Sequence, residues 1–249
     1  MNGTVFAITN QKGGTGKSTT AQAIATGAAY KGRKALAIDL DAQANLTFAM
    51  AGNGADVGAY ELITGQLKAS QVIQHTRQGD LIAASSHLAT ADTTFTGDTR
   101  LYGLANALKG LRSRYDVIVI DCPPSLGTLL INALAAADKV IIPLTADIYA
   151  LQGLYQLHQT IQDAAKYNTG LQIGGALFVK HSTRTILARD LTDVITDKCK
   201  ELAIPVYRTT IREGIAVREA QTLRQSLFEY APKSKPAKDY LDLLQEISL

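Results

Sequence analysis

The residues most able to do chemistry in this chain are contiguous: Gln11–Thr19, QKGGTGKST. Gly13, Gly14 and Gly16 let a backbone turn so that successive N–H groups converge on an anion. Lys17 then offers a point charge to the outer phosphates of a nucleotide, and the Ser18 hydroxyl offers a ligand to Mg²⁺. Gln11, Lys12, Thr15 and Thr19 complete the loop. It follows an apolar run, TVFAIT at residues 4–9, and opens a helix-forming run, STTAQAIATGAAYKG. That strand, loop, helix order is the context a phosphate-binding loop requires, because the helix dipole adds to the loop's N–H groups.

Phosphoryl transfer also needs carboxylates, and these stand at the ends of two other apolar runs. Asp121 closes DVIVI, while Asp39 and Asp41 close ALAIDL. The C-terminal edge of a strand is where an α/β sheet places ligand-binding groups. Asp121 reads as the acid that holds Mg²⁺ through a water. Cys122, beside it, reads as a small packed residue. The histidines at 75, 87, 158 and 181 are scattered and form neither a metal nor a triad spacing. Two cysteines give no disulfide framework and no zinc motif.

The elements that must position these groups follow from the pattern. Runs at 4–9, 35–40, 80–84, 116–120, 139–144 and 172–179 are short, rich in Val and Ile and mostly unalternated, as strands covered on both faces should be. Helix candidates lie between them at about 17–31, 98–113, 125–136, 149–167 and 184–201. The run IPVY near Pro205 marks an edge element. Residues 235–249 read as a closing helix with Tyr240, Leu244 and Ile247 on one face. The alternation predicts an α/β fold: a P-loop NTPase with a mostly parallel twisted sheet flanked by helices on both faces, in one domain spanning 1–249. At 249 residues, 46% hydrophobic and 19% charged, the chain can bury a core and is not a disordered one. No run approaches the roughly 20 apolar residues of a membrane span. The N-terminal MNGTVFAIT has no basic leader, so a cytoplasmic protein is expected.

The arrangement K-G-G-x-G-K-[ST], with Gln11 where glycine is commoner, resembles the deviant Walker motif of the ParA/MinD family of ATPases. The segment Asp39-Leu40-Asp41-Ala42-Gln43-Ala44-Asn45 is similar to that family's D-x-D-P-Q-x-N, with Ala42 in place of proline. Asp121-Cys122-Pro123-Pro124-Ser125 is similar to its D-x-P-P-S, Asn132-Ala133-Leu134 and Ala136-Ala137-Asp138 fit the following helix, and Glu219-Ala220 falls at its late E-A. The resemblance runs over residues 4–248 and is weakest at 208–218. It implies ATP and Mg²⁺ as cofactors, with Ser18, Asp41 and Asp121 at the metal. It gives Asp41 the positioning of the attacking water on a mobile switch, and leaves Asp39 to support the loop or its lysine. It implies that Lys12 reaches across a two-fold interface to a partner's ATP, so that ATP joins a sandwich homodimer. Base recognition would fall near Ile211-Arg212-Glu213-Gly214, which lacks the family's P-x-N.

Three occupations compete within the family: DNA partitioning, membrane cycling, and metabolic or redox work. A cluster would need more cysteine near the nucleotide. A membrane anchor would need a basic amphipathic end, whereas Asp239, Asp242 and Glu246 are expected on the polar side of the last helix. Residues 180–224 hold nine Lys/Arg against six Asp/Glu, while residues 1–179 hold 13 against 12. DNA partitioning is therefore expected, with Arg184, Arg189, Arg212, Arg218 and Arg224 as DNA contacts and Lys198 and Lys200 nearby. Nonspecific DNA and a cargo-bound ParB-like activator are the expected partners, and the nucleoid the expected location. With the first strand at residues 4–9, no helix-turn-helix domain is expected ahead of it.

Overall fold

The computed structural model describes residues 3–54, 56–182 and 185–249. The apolar runs form strands β1 (Thr4–Ile8), β2 (Ala35–Asp39), β3 (Ile73–Thr76), β4 (Gly79–Ile82), β5 (Val117–Asp121), β6 (Lys139–Leu144), β7 (Gln172–His181) and β8 (Ile211–Arg212). They make one eight-stranded sheet in the order β3-β4-β2-β5-β1-β6-β7-β8. Every pairing is parallel except β3 with β4. The helices are α1 (Lys17–Tyr30), α2 (Asn45–Ala49), α3 (Ala59–Ile63), α4 (Ala69–Val72), α5 (Ala91–Thr94), α6 (Gly97–Leu108), α7 (Thr128–Ala136), α8 (Ala150–Ala165), α9 (Ile186–Glu201), α10 (Ile215–Thr222), α11 (Leu227–Tyr230) and α12 (Lys235–Glu246).

Alternate strand residues serve two cores. Val5, Ala7, Leu36, Ile38, Ile118, Ile120, Val140 and Ile142 pack under α6, α7 and α8, with Ile195 and Cys199 of α9 joining at the edge. Phe6, Ile8, Ala35, Ala37, Val117, Val119, Ile141 and Leu177 pack under α1, α11 and α12. Both faces are covered, which is why these strands carry no polar alternation. The six strands read from sequence stand within a few residues of their expected bounds. β3, β8 and the short helices α2–α5, α10 and α11 carry too little periodicity to be seen in advance. Near Pro205 the chain adds a single bridge from Val206 to Ala176.

One expectation about the last helix is overturned. Tyr240, Leu244 and Ile247 face the core as the pattern predicts, but Asp239 is buried and Glu246 is engaged. Asp239 accepts the Arg212 backbone N–H at 2.9 Å and its guanidinium, and Glu246 accepts the N–H groups of Arg208 and Thr209. β8 is an edge strand of two residues, so the Arg212 N–H and those of the segment leading into it need acceptors, and α12 supplies them.

Candidate active site

Three central strands set the site. β1 runs between β5 and β6, so the loop that leaves Ile8 emerges beside Asp121, its register partner on β5. Asp39 is the register partner of Asp121 on the other side. The loop winds through Gly14 and Gly16, both at φ 75°, before α1 begins at Lys17. A left-handed pair with a helix N-terminus behind it aims backbone N–H groups at an anion. A side chain at Gly13 or Gly14 would meet nothing within 4 Å, so this crown of the loop stands open, while Thr15 and Lys17 are buried. Lys17 Nζ lies 3.3 Å from the Lys12 carbonyl, closing the loop on itself. Gln11, Ser18 and Thr19 are half-buried around it, and Thr19 Oγ1 accepts from Gln221 on α10 at 3.0 Å.

Asp121 is fully buried, and neither of its carboxylate oxygens has a hydrogen-bond partner among the described residues. Burial, then the neighbouring Asp39 charge, push its carboxyl well above the usual range, with Ser18 and Lys17 pulling the other way. An interior carboxylate left unpaired is costly unless a ligand completes it. No group of three His, Cys, Asp or Glu side chains that could hold a metal occurs among the described residues. Mg²⁺ fits the donor set nonetheless, because it is characteristically held by one or two carboxylates, a hydroxyl and substrate phosphates. Asp121 and Ser18 would hold it here, where it would neutralise charge on the phosphates.

Asp39 has a different task from the loop support expected of it. Its Oδ2 accepts from the Thr47 N–H at 2.7 Å and the Thr47 hydroxyl at 2.8 Å, and its Oδ1 from the Asp41 N–H at 3.1 Å. It ties down the segment from Asp41 to α2 and has no bond to Lys17. Thr47 in turn receives the Ala84 N–H. Asp41 is half-exposed on that segment, its Oδ1 holding the Gln43 N–H at 3.0 Å, and Ala44 follows in a left-handed turn at φ 55°.

The Lys12 side chain leaves the loop for Asp147. Its Nζ is 2.7 Å from Asp147 Oδ2 and sits over the Tyr149 ring at 5.6 Å. Burial alone would raise the Asp147 carboxyl, but Lys12 and the Thr145 hydroxyl hold it below the usual range. Beside the loop lies a largely apolar slot lined by Gly16, Val179, Ile211, Gly214, Val217 and Tyr240, with Thr19, Lys180, Arg212, Glu213 and Arg218 also along it. Residues 211–214 line that slot beside Gly16. The Arg212 guanidinium, however, is committed to Asp239.

The other arginines fare differently. Arg189 is exposed on α9, with no charged partner among the described residues. Arg218 is exposed on α10 and pairs with Glu213 at 3.1 Å. Arg224 is not a free cation: it donates to the Phe48 and Gly52 carbonyls at 3.0 and 2.6 Å and covers the Phe48 ring. It anchors the segment after α2 to the end of α10. Arg184 lies outside the described residues. Asp147, Thr47 and the Arg224 anchor were not visible in the sequence, since pairing of one side chain with a distant residue has no spacing signature.

The family model that matches, an AAA domain, covers residues 3–173. The chain is 38% identical over 252 residues to the sporulation initiation inhibitor protein Soj of Bacillus subtilis, covering 99% of this chain and 98% of that one. It is 34% identical to the chromosome-partitioning ATPase Soj of Treponema pallidum, over 98% and 97% of the two chains. Among solved structures it resembles cobyrinic acid a,c-diamide synthase from Mycobacterium smegmatis with a bound ATP analogue and magnesium. That likeness has a TM-score of 0.86 and 33% identity, over 98% of this chain and 93% of that one. With the sheet order, the open glycine crown and the unpaired Asp121 already in place, these likenesses put the chain in the ParA/MinD family of P-loop ATPases, with ATP and Mg²⁺ as its cofactors.

Proposed function

We propose that this chain, acting as one domain, is a partitioning ATPase whose ATP-bound sandwich dimer holds DNA without sequence preference. A cargo-bound, ParB-like activator would trigger Mg²⁺-dependent hydrolysis to ADP and phosphate. The observation that carries this reading is the divergence of the two loop lysines. Lys17 is buried at the loop, whereas Lys12 is paired outside it with Asp147, a partly exposed acid that a phosphate could replace. A second chain presenting ATP gives that charge a task, as an arginine finger supplied in trans does.

Within the site, Lys17 and the loop N–H groups would bind and orient the phosphates. Ser18 and Asp121 would fix Mg²⁺, which supplies charge neutralisation on the β and γ oxygens. Asp41 would orient the attacking water, and Asp39, through Thr47, would hold the segment bearing Asp41. The base would lie in the apolar slot against the 211–214 backbone. The partitioning role is supported by the name of the Treponema relative. The Mycobacterium structure carries the name of an amide-forming enzyme, which keeps a small-molecule ligase as the alternative. Against membrane cycling, α12 turns its apolar face into the core and commits Asp239 to β8 and Glu246 to the segment before it, and no helix among the described residues is long and apolar enough to cross a membrane.

The test is a titration of fluorescent random-sequence duplex with protein plus ATP, plus ADP and without nucleotide, paired with sedimentation. The expected result is ATP-dependent dimerisation and ATP-dependent, salt-sensitive DNA binding. DNA binding indifferent to nucleotide, or ATP-dependent binding to anionic vesicles alone, would overturn it.

A further inference from the structure

A third lysine reaches the phosphate loop, from a place that ordinary strand geometry would not provide. β7 pairs with β8 through Val179 with Ile211 and His181 with Arg212, so Lys180 is an extra residue between two register positions. Its backbone is left-handed, at φ 50°. A bulge of this kind re-aims a side chain, and a left-handed position favours glycine, so a lysine there carries a conformational cost. The re-aimed side chain crosses to the loop: Lys180 Nζ donates to the Gly14 carbonyl at 2.8 Å.

That contact falls where the loop has least support. Gly13 and Gly14 are exposed, and no atom lies within 4 Å of the places their side chains would occupy. Two residues further on, Gly16 has the Val179 side chain behind it. The crown is thus held by its own turn and by Lys180. Its carbonyls must point outward for its N–H groups to point inward, and a cation on the Gly14 carbonyl favours that orientation. Being exposed, the bond adds little to the stability of the fold. Its effect is on the loop.

We infer that Lys180 is a nucleotide-positioning residue, which clamps the Gly13–Gly14 crown in its anion-binding form through the Gly14 carbonyl. The inference rests on the loop being the ATP site. Ordering the crown in advance aids every phosphate-bearing state alike, so the clamp sets affinity and leaves the chemical step nearly unchanged.

The experiment compares Lys180→Met, Lys180→Gly and Lys180→Arg with the unaltered chain. Binding of Mg-ATP and Mg-ADP is measured by calorimetry, steady-state hydrolysis gives KM and kcat, and melting is followed without nucleotide. Losing one hydrogen bond should weaken both nucleotides by about 3–10-fold in the Met and Gly variants, with KM rising in step and kcat holding. Arg, which also donates to a carbonyl, should restore most of the affinity. Lys180→Gly should melt no lower than the unaltered chain, since glycine takes φ > 0 freely. Affinity falling while stability holds is a pattern that a merely structural residue cannot give. Unaltered affinity in both variants, or an affinity loss matched by a fall in melting temperature, would overturn the assignment. An unaltered chain that fails to bind Mg-ATP would instead overturn the reading of the loop itself.

Discussion

The centre of the sheet and its β7–β8 edge use charge in opposite ways. At the centre, Asp39, Lys17 and Asp121 are drawn into the interior, and Asp121 is left with both oxygens unpaired. At the edge, exposed charges are abundant but mostly matched: Arg218 with Glu213, Lys198 with Glu201 and Lys200 with Asp197. A buried unpaired charge is expensive, so it persists where a ligand completes it. An exposed pair is worth little, so its acid is readily exchanged for another anion. The centre therefore holds a costly charge in one place, while the edge keeps its charges in exposed pairs.

The largest expected effect breaks the centre. Lys17→Ala removes the buried cation of the loop, and truncating one partner of a desolvated charge pair costs about 2–5 kcal/mol of binding. Calorimetry with Mg-ATP should show binding abolished or nearly so. Lys12→Ala should leave ATP affinity of the monomer nearly intact yet abolish ATP-dependent dimerisation, because its charge lies 2.7 Å from Asp147 rather than at the loop. Equal losses of ATP affinity in the two variants would contradict the in-trans role.

The same contrast decides how much could be read in advance. Buried strands announce themselves as unbroken Val and Ile runs, and the phosphate loop is nine contiguous residues, so the fold and its nucleotide loop were legible. The partners of those residues were not. Lys12 meets Asp147 across 135 positions, Lys180 meets Gly14 across 166, and Arg224 meets Gly52 across 172. Such contacts depend on which strand edges the topology juxtaposes, and no local period encodes them. Helical periodicity puts Asp239 on the wet side of α12, since it ignores what an adjacent edge strand needs, and there the Arg212 N–H needs an acceptor.

Asp41 sits between the two regimes, on a half-exposed segment anchored by the buried Asp39. Removing a group that orients a reacting water costs about 10²–10⁴ in rate. Asp41→Ala should therefore bind ATP and sediment as a persistent dimer with Mg²⁺, while turnover falls by that order. Asp39→Ala should differ, lowering melting temperature as well, because the Thr47 N–H and hydroxyl lose their buried acceptor. A dimeric Asp39→Ala that hydrolyses slowly beside a fully active Asp41→Ala would move the water-orienting role to Asp39.

A smaller effect is expected at the edge, where it discriminates among arginines. Arg218→Glu should leave melting and ATP-dependent dimerisation unchanged while lowering DNA affinity, since its only partner among the described residues is an exposed acid. A dimer loses two phosphate contacts at once, so the slope of log affinity against log salt should shrink by about two units. Arg224→Glu should behave as a stability variant, because its guanidinium holds the main-chain carbonyls of Phe48 in α2 and Gly52 beyond it. A salt slope altered by Arg224 and untouched by Arg218 would reverse their assignments.

The smallest effect lies away from the nucleotide, at a buried charge that is paired. Glu61, on α3, receives the Gly58 N–H and His87 Nδ1, each at 2.7 Å. Burial alone would raise its carboxyl, but those two partners hold it below its ordinary value of 4.5. A carboxylate lowered in the folded state stabilises at pH values above its unfolded pKa, and that contribution drains away as pH falls through the folded one. The unaltered chain should accordingly lose this increment only below about pH 4.5. Glu61→Gln keeps an acceptor for the Gly58 N–H and removes the charge, so its melting temperature should be lower at neutral pH by a few degrees, for a loss of about 1–2 kcal/mol. The two melting curves should then converge on acidification. Parallel acid limbs would show that the charge of Glu61 adds nothing, which would place this buried group with the interchangeable pairs of the edge rather than with the centre.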